Sequence, residues 1–301
     1  MFHLRTFSEF VLFEGGKALD SVRPIKQSEV PATVKSIEDT LFPVLKLREW
    51  NKDVLLIGSA GKKADPEETS GDIDLGIAMD QFFENNALGG SIEDAIGTIY
   101  TLVKNAFPEW EIKWMKGLEV ISIAFPIGGD IDNGCVQLDL LPLKDMDWAK
   151  FIYTSPDYRK NESRYKSAHR NWLFAAVLSA ITEDHQFDDA GNKLGFTGYM
   201  MRLNDGLSKI KKSYVGKKGL KKTAEIVKGE ERLITKSPKE FVQFVFGEKY
   251  APDDVRTFED AIHIINAPDF KWKDKKEEIL ENYVRFLNRV KLPIPAEVSA
   301  K

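Results

Sequence analysis

The chain has 301 residues, enough to bury one large core or two ordinary ones, and its 43% hydrophobic and 11% aromatic content is that of a globular protein. A charged fraction of 30% that nets to only -4 excludes a uniformly basic coat for nucleic acid, though not a local basic patch. A single cysteine, Cys135, excludes an intrachain disulfide and a cysteine-rich zinc site, and the four histidines have no ligand-like spacing.

No apolar run is long enough to span a bilayer, and Met1–Arg5 lacks the start of a signal peptide, so a soluble cytoplasmic protein with no membrane partner is expected. Phe7–Phe13 is apolar enough for a short strand or helix and is broken by Gly15-Gly16, which read as a turn. Ser28, Pro31 and the spacing of Val34, Ile37, Leu41 and Val44 predict a helix that bends or ends near Pro43. Val54–Ile57 followed by Gly58 predicts a buried strand running into a turn, and Asp72–Met79 the next strand. Residues 91–107 carry Ile92, Ile96, Ile99, Leu102, Val103 and Phe107 at helical spacing. Three further strands are expected at Glu111–Met115, Glu119–Phe125 and Cys135–Leu141, the last two joined through Gly128–Gly134. From about residue 145 helical periodicity is expected to dominate. The fold class is therefore α+β, a mixed-sheet catalytic domain over 1–148 followed by a mainly helical domain over 149–301.

The informative segment is Ile57-Gly58-Ser59-Ala60-Gly61-Lys62-Lys63, followed by Ser70-Gly71-Asp72-Ile73-Asp74-Leu75-Gly76-Ile77. Residues i and i+2 of a strand share a face, so Asp72 and Asp74 stand together while Ile73, Leu75 and Ile77 enter a core. Two such carboxylates repel, and a pair of divalent cations removes the repulsion. Hard oxygen ligands suit magnesium, with manganese as an alternative. A glycine turn lets backbone N–H groups approach phosphate oxygens, Ser59 adds a hydroxyl, and Lys62 and Lys63 can neutralise a triphosphate. Asp139 lies in the otherwise apolar run Val136–Leu141, where a lone acid is costly unless it meets a metal or a donor.

Glycine-serine, a spacer, Asp-Ile-Asp and a later Asp on its own strand resemble the DNA polymerase β-type nucleotidyltransferase superfamily. The longer string from Phe13-Glu14-Gly15-Gly16 to Ser163-Arg164-Tyr165-Lys166 is similar to phage-encoded members of it. The resemblance implies a nucleotidyltransferase palm in which Asp72 and Asp74 bind both metal ions. Asp139 would bind the catalytic ion and help deprotonate an acceptor hydroxyl, and Gly58 and Ser59 would hold the triphosphate. The implied reaction is transfer of a nucleoside monophosphate from an NTP, ATP being favoured, with release of pyrophosphate.

Ser155-Pro156-Asp157 reads as a helix start, and the helix after it would align Ser163, Lys166 and Arg170 on one face. Ser163 and Lys166 are thus candidates for the triphosphate, Tyr165 one for base stacking, and His169 a core-edge histidine. Lys209–Lys222 holds Lys211, Lys212, Lys217, Lys218, Lys221 and Lys222, and no acid falls between Asp205 and Glu225. In an otherwise acidic chain this run favours contact with a nucleic-acid backbone, which makes an RNA 3′ end, tRNA included, the expected acceptor. The alternatives are a protein or small-molecule acceptor and a non-catalytic nucleotide- or RNA-binding module. Trp272, Tyr283, Phe286 and Leu287 read as helical core that ends before Pro293 and Pro295.

Overall fold

The computed structural model describes residues 18–89, 91–115, 119–187, 193–202, 204–215 and 223–299. Phe7–Phe13 and Gly15-Gly16 lie outside the described residues, as do Lys217, Lys218, Lys221 and Lys222. The chain divides into two units, Met1–Lys166 and Ser167–Lys301.

In the first unit, helix α1 (Val30–Leu45) has Pro31 in its first turn, where the missing N–H costs nothing. Pro43 sits in its last turn, and Lys46 closes it in the left-handed conformation. Two-residue strands β1 (Ile25–Lys26) and β3 (Thr69–Ser70) pair antiparallel. Strands β2 (Val54–Ile57), β4 (Asp72–Ala78), β5 (Ile112–Met115), β6 (Val120–Pro126) and β7 (Cys135–Leu143) form a five-stranded mixed sheet in the order β2-β4-β7-β6-β5. The β4–β7 pair is parallel and the other three are antiparallel. Helix α2 (Met79–Asn86) leaves the end of β4. Helix α3 (Ile92–Ala106) begins in a capping box made by Ser91 and Asp94, which satisfies two otherwise orphaned donors. Helix α4 (Met146–Tyr153) follows β7, with Asp145 accepting from the Trp148 N–H.

Period-two patterning decides the faces of this sheet. Ile73, Leu75, Ile77, Ile121, Ile123, Phe125, Val136, Leu138 and Leu140 point to one side and form the main core with α1 and α3. Each such buried side chain contributes roughly 1.5–3 kcal/mol. The opposite side is divided. At one end Leu55, Ile57, Val120, Leu141, Leu143 and Ala149 make a small apolar cluster. At the other, Leu19, Ala124 and Cys135 make a second. Between the two runs a polar strip that holds every acidic residue of the sheet's middle strands.

The second unit departs from the mainly helical expectation. It has helices α5 (Ser167–Ala180), α6 (Pro238–Phe246), α7 (Phe258–Asn266), α8 (Lys276–Val290) and α9 (Ala296–Ser299). It also contains strands β8 (Glu183–Phe187), β9 (Lys193–Arg202), β10 (Gly206–Val215) and β11 (Thr223–Thr235), an antiparallel sheet in the order β11-β10-β9-β8. The cue was present in the turn residues Asn204-Asp205-Gly206 between two runs of alternating character, and the lysines of the second run obscured it. Arg202 and Glu231 tie the sheet across β9 and β11 with bonds of 2.9 and 2.7 Å. His169 is buried in α5 with Nδ1 2.9 Å from the Tyr283 hydroxyl, so it belongs to the core of this unit. Tyr283 and Leu287 are core residues of α8, as expected, and Trp272 lies before the helix with Nε1 donating to Val245 O.

The expected helix from Ser155 is replaced by irregular chain and a single 3-10 turn at Tyr158–Lys160. Asp157 accepts from the Arg159 N–H and grips its guanidinium at 2.8 Å, while Asn161 adopts φ 54° and stops the turn. Helix α5 starts only at Ser167, so Ser163 and Lys166 are not on a common helical face with Arg170. The local Asx turn at Asp157 captures the backbone before a helix can propagate.

Candidate metal centre

Strand register assembles the centre. In one row across the sheet stand Lys113, Ser122, Asp139, Asp74 and Ile57, each paired with the next. In the neighbouring row Ala124 faces Gln137, which faces Asp72. Asp72, Asp74 and Asp139 therefore meet because β4 and β7 run parallel in this register. One carboxylate oxygen from each lies within 4.8 Å of the other two. Like charges placed directly opposite on neighbouring strands destabilise a sheet. Magnesium holds its oxygens at about 2.1 Å, so opposed ligands span about 4.2 Å. The three aspartates need only small side-chain adjustments to meet that distance, and an all-oxygen donor set fits the ion.

Asp139 carries the electrostatic tension. Burial pushes its carboxyl up to about 6. Hydrogen bonds from Ser122 and Gln137 oppose the shift, and the charge of Asp72 adds to it. Ser122 Oγ donates to Asp139 Oδ1 at 2.6 Å, and Gln137 Nε2 reaches Oδ2 at 2.9 Å and Oδ1 at 3.1 Å. A buried carboxylate that keeps two donors and still titrates high is one that a cation stabilises in its charged form.

Gly58 is adjacent to Asp74 for a steric reason. Its φ is +72°, and a Cβ at this position would stand 2.5 Å from Asp74 Oδ2. Ser59 follows, and a turn closes from the Lys62 N–H to Ser59 O at 3.2 Å, so the backbone after β2 curls beside the aspartates. Gly58 also forms a parallel bridge with Thr154, which fixes the end of α4 here. Gly58→Ala should therefore cost about 1–3 kcal/mol in strain and displace Asp74 Oδ2. Urea denaturation and manganese titration would check this. A wild-type metal affinity in the variant would contradict the close approach.

The remaining expected residues are placed as follows. Lys62 Nζ donates to Ser155 O at 3.3 Å. Burial pushes the Lys62 ammonium below the usual lysine range, although Asp157 and Glu162 act against the shift. Lys63 Nζ binds Thr69 O at 2.5 Å and Glu68 at 3.1 Å, so it holds its own loop together. The Ser163 hydroxyl accepts from the Tyr165 N–H at 2.9 Å and sits 3.0 Å from Tyr165 O, a local turn. Lys166 is exposed at the end of the first unit. Lys211 and Lys212 are consecutive in β10 and so point to opposite faces, and burial pushes the Lys212 ammonium down.

No family model, no curated protein and no solved structure matches this chain. The centre stands on its own geometry.

Three residues of the centre are absent from the sequence reading. Ser122 and Gln137 reach Asp139 through strand register, for which a lone serine and glutamine in apolar runs give no local signal. Tyr153 ends α4, and its hydroxyl is pushed far above the ordinary tyrosine range by burial, then by the negative charges of Asp74 and Glu119. It stays protonated, a neutral group beside an acidic site.

Proposed function

We propose that the chain is a magnesium-dependent nucleotidyltransferase with a palm-type first unit. It transfers a nucleoside monophosphate from an NTP, ATP being favoured, to an acceptor hydroxyl. The observation that carries this reading is the convergence of Asp72, Asp74 and Asp139 on one polar strip, from adjacent parallel strands.

Asp72 and Asp74 would hold the ions together with Asp139. Bound magnesium would neutralise the triphosphate and stabilise both oxygens that exchange at phosphorus. The acceptor oxygen attacks the α-phosphorus, the bond to the β-phosphate oxygen breaks, and pyrophosphate leaves with its electron pair. Asp139 Oδ takes the hydroxyl proton. The backbone after Gly58 would offer N–H groups to the phosphates.

The acceptor favoured is an RNA 3′ end, supported by the basic run Lys209–Lys222 in an acidic chain. The test is incubation with labelled NTPs, magnesium and a panel of RNA, protein and small hydroxyl compounds. Label in RNA, lost as salt rises, is the expected result. Label in protein or a small molecule overturns the acceptor and keeps the reaction. No labelled product and no released pyrophosphate with any acceptor, from protein that binds the metal, overturns the enzyme in favour of a binding module.

A further inference from the structure

The polar strip continues past the aspartates to a stretch of chain that the proposed chemistry does not use. The Ala18 N–H donates to Gln137 Oε1 at 2.9 Å, and Lys113 Nζ donates to Ala18 O at 3.1 Å. Both bonds to this one residue come from the strip itself, since Lys113 pairs with Ser122 and Gln137 lies two residues before Asp139. The chain stays on the sheet from there. The N–H groups of Asp20 and Ser21 reach Glu111 at 3.4 and 3.3 Å, and the Arg23 N–H donates to Cys135 O at 2.8 Å.

The bond from Ala18 also settles the orientation of the Gln137 amide. A glutamine can present either end, and only its oxygen can accept an N–H. With Oε1 committed to Ala18, Nε2 must face Asp139, where it spans both carboxylate oxygens. Ser122 completes the grip from the other side.

We propose that Gln137 and Ser122 are positioning residues for the third metal ligand, with the Ala18 N–H fixing which end of the Gln137 amide faces it. This rests on the metal-dependent reading above. Both would act through Asp139, as outer partners of metal ligands do, where their loss costs about 10–100-fold in metal affinity.

The test is manganese binding by the full chain, followed by electron paramagnetic resonance, with thermal unfolding in the absence of metal measured alongside. Gln137→Met keeps the side-chain length and removes both amide ends. Ser122→Ala is the smaller change and serves if the first variant does not fold. Each should weaken manganese binding by about 10–100-fold. A merely structural role would lower the unfolding temperature and leave the manganese constant at its wild-type value, and that result overturns the positioning role. If the wild-type chain itself binds no manganese, the metal-dependent reading fails first and takes this proposal with it. If wild type binds and Asp74→Ala does not, the reading stands and the two variants alone decide.

Discussion

Asp74→Ala should abolish nucleotidyl transfer, by about 10³-fold or more, while leaving the fold intact. Asp74 stands in the middle of the strip, paired with Asp139 on one side and opposite Ile57 on the other, with Gly58 against its carboxylate. On the proposed reading, removing it would delete a shared ligand and leave the remaining two acids without the geometry to hold an ion. The core is untouched, because Ile73 and Leu75 face the other way. With one of three neighbouring carboxylates gone and the core faces unchanged, the metal-free variant should remain folded. Turnover is checked by pyrophosphate release, and folding by circular dichroism. Wild-type turnover in a folded variant would remove Asp74 from the chemistry.

The second large effect is on stability against pH. Burial pushes the carboxyl of Asp139 up to about 6, against an ordinary 3.8. For an acid raised in this way, the folded state holds a proton that the unfolded state has already released. Stability attributable to Asp139 is therefore greatest below about pH 4, falls as pH rises through the window, and is fully lost above about pH 6. The size is about 3 kcal/mol, from the shift and the energy of one pKa unit. Other carboxylates act in the opposite sense. Asp157, held at about 2 by Arg159, and Glu29, held low by Arg23, contribute stability above their ordinary range that is lost in acid. The difference between wild type and Asp139→Asn isolates the term, since the amide keeps the volume and cannot titrate. That difference should shift against wild type by about 3 kcal/mol between pH 4 and 7. If the proposed site binds magnesium, the ion at pH 7 should recover stability in wild type and much less in the variant, because it would bind only the folded, charged form. A flat difference across the window would place Asp139 in a solvated setting.

The local parts of this centre were legible in the sequence and the non-local parts were not. Asp72 and Asp74 share a face by strand periodicity alone, and Gly58 follows an apolar strand with the residue type that a left-handed turn demands. Asp139 was visible as an acid out of place in an apolar run. The row that joins it to Asp74 depends on β4 pairing parallel to β7 across an intervening stretch of more than fifty residues. Ser122 and Gln137 come into view only with that register. The error at Ser163 and Lys166 has a local cause, since the Asx turn at Asp157 competes with the helix that Ser-Pro-Asp suggested. The sheet of the second unit was hidden for a different reason. Its strand β10 carries Lys209, Lys211 and Lys212 among small and apolar residues, so charge dominated there where the two-residue period should have.

The most direct measurement of the central claim is diffraction from crystals soaked with manganese and a non-hydrolysable NTP, with data collected at the manganese absorption edge. Anomalous peaks within about 2.5 Å of carboxylate oxygens of Asp72, Asp74 and Asp139, with the triphosphate against the turn after Gly58, are the expected result. A nucleotide bound elsewhere, with no metal at the three aspartates, would contradict it.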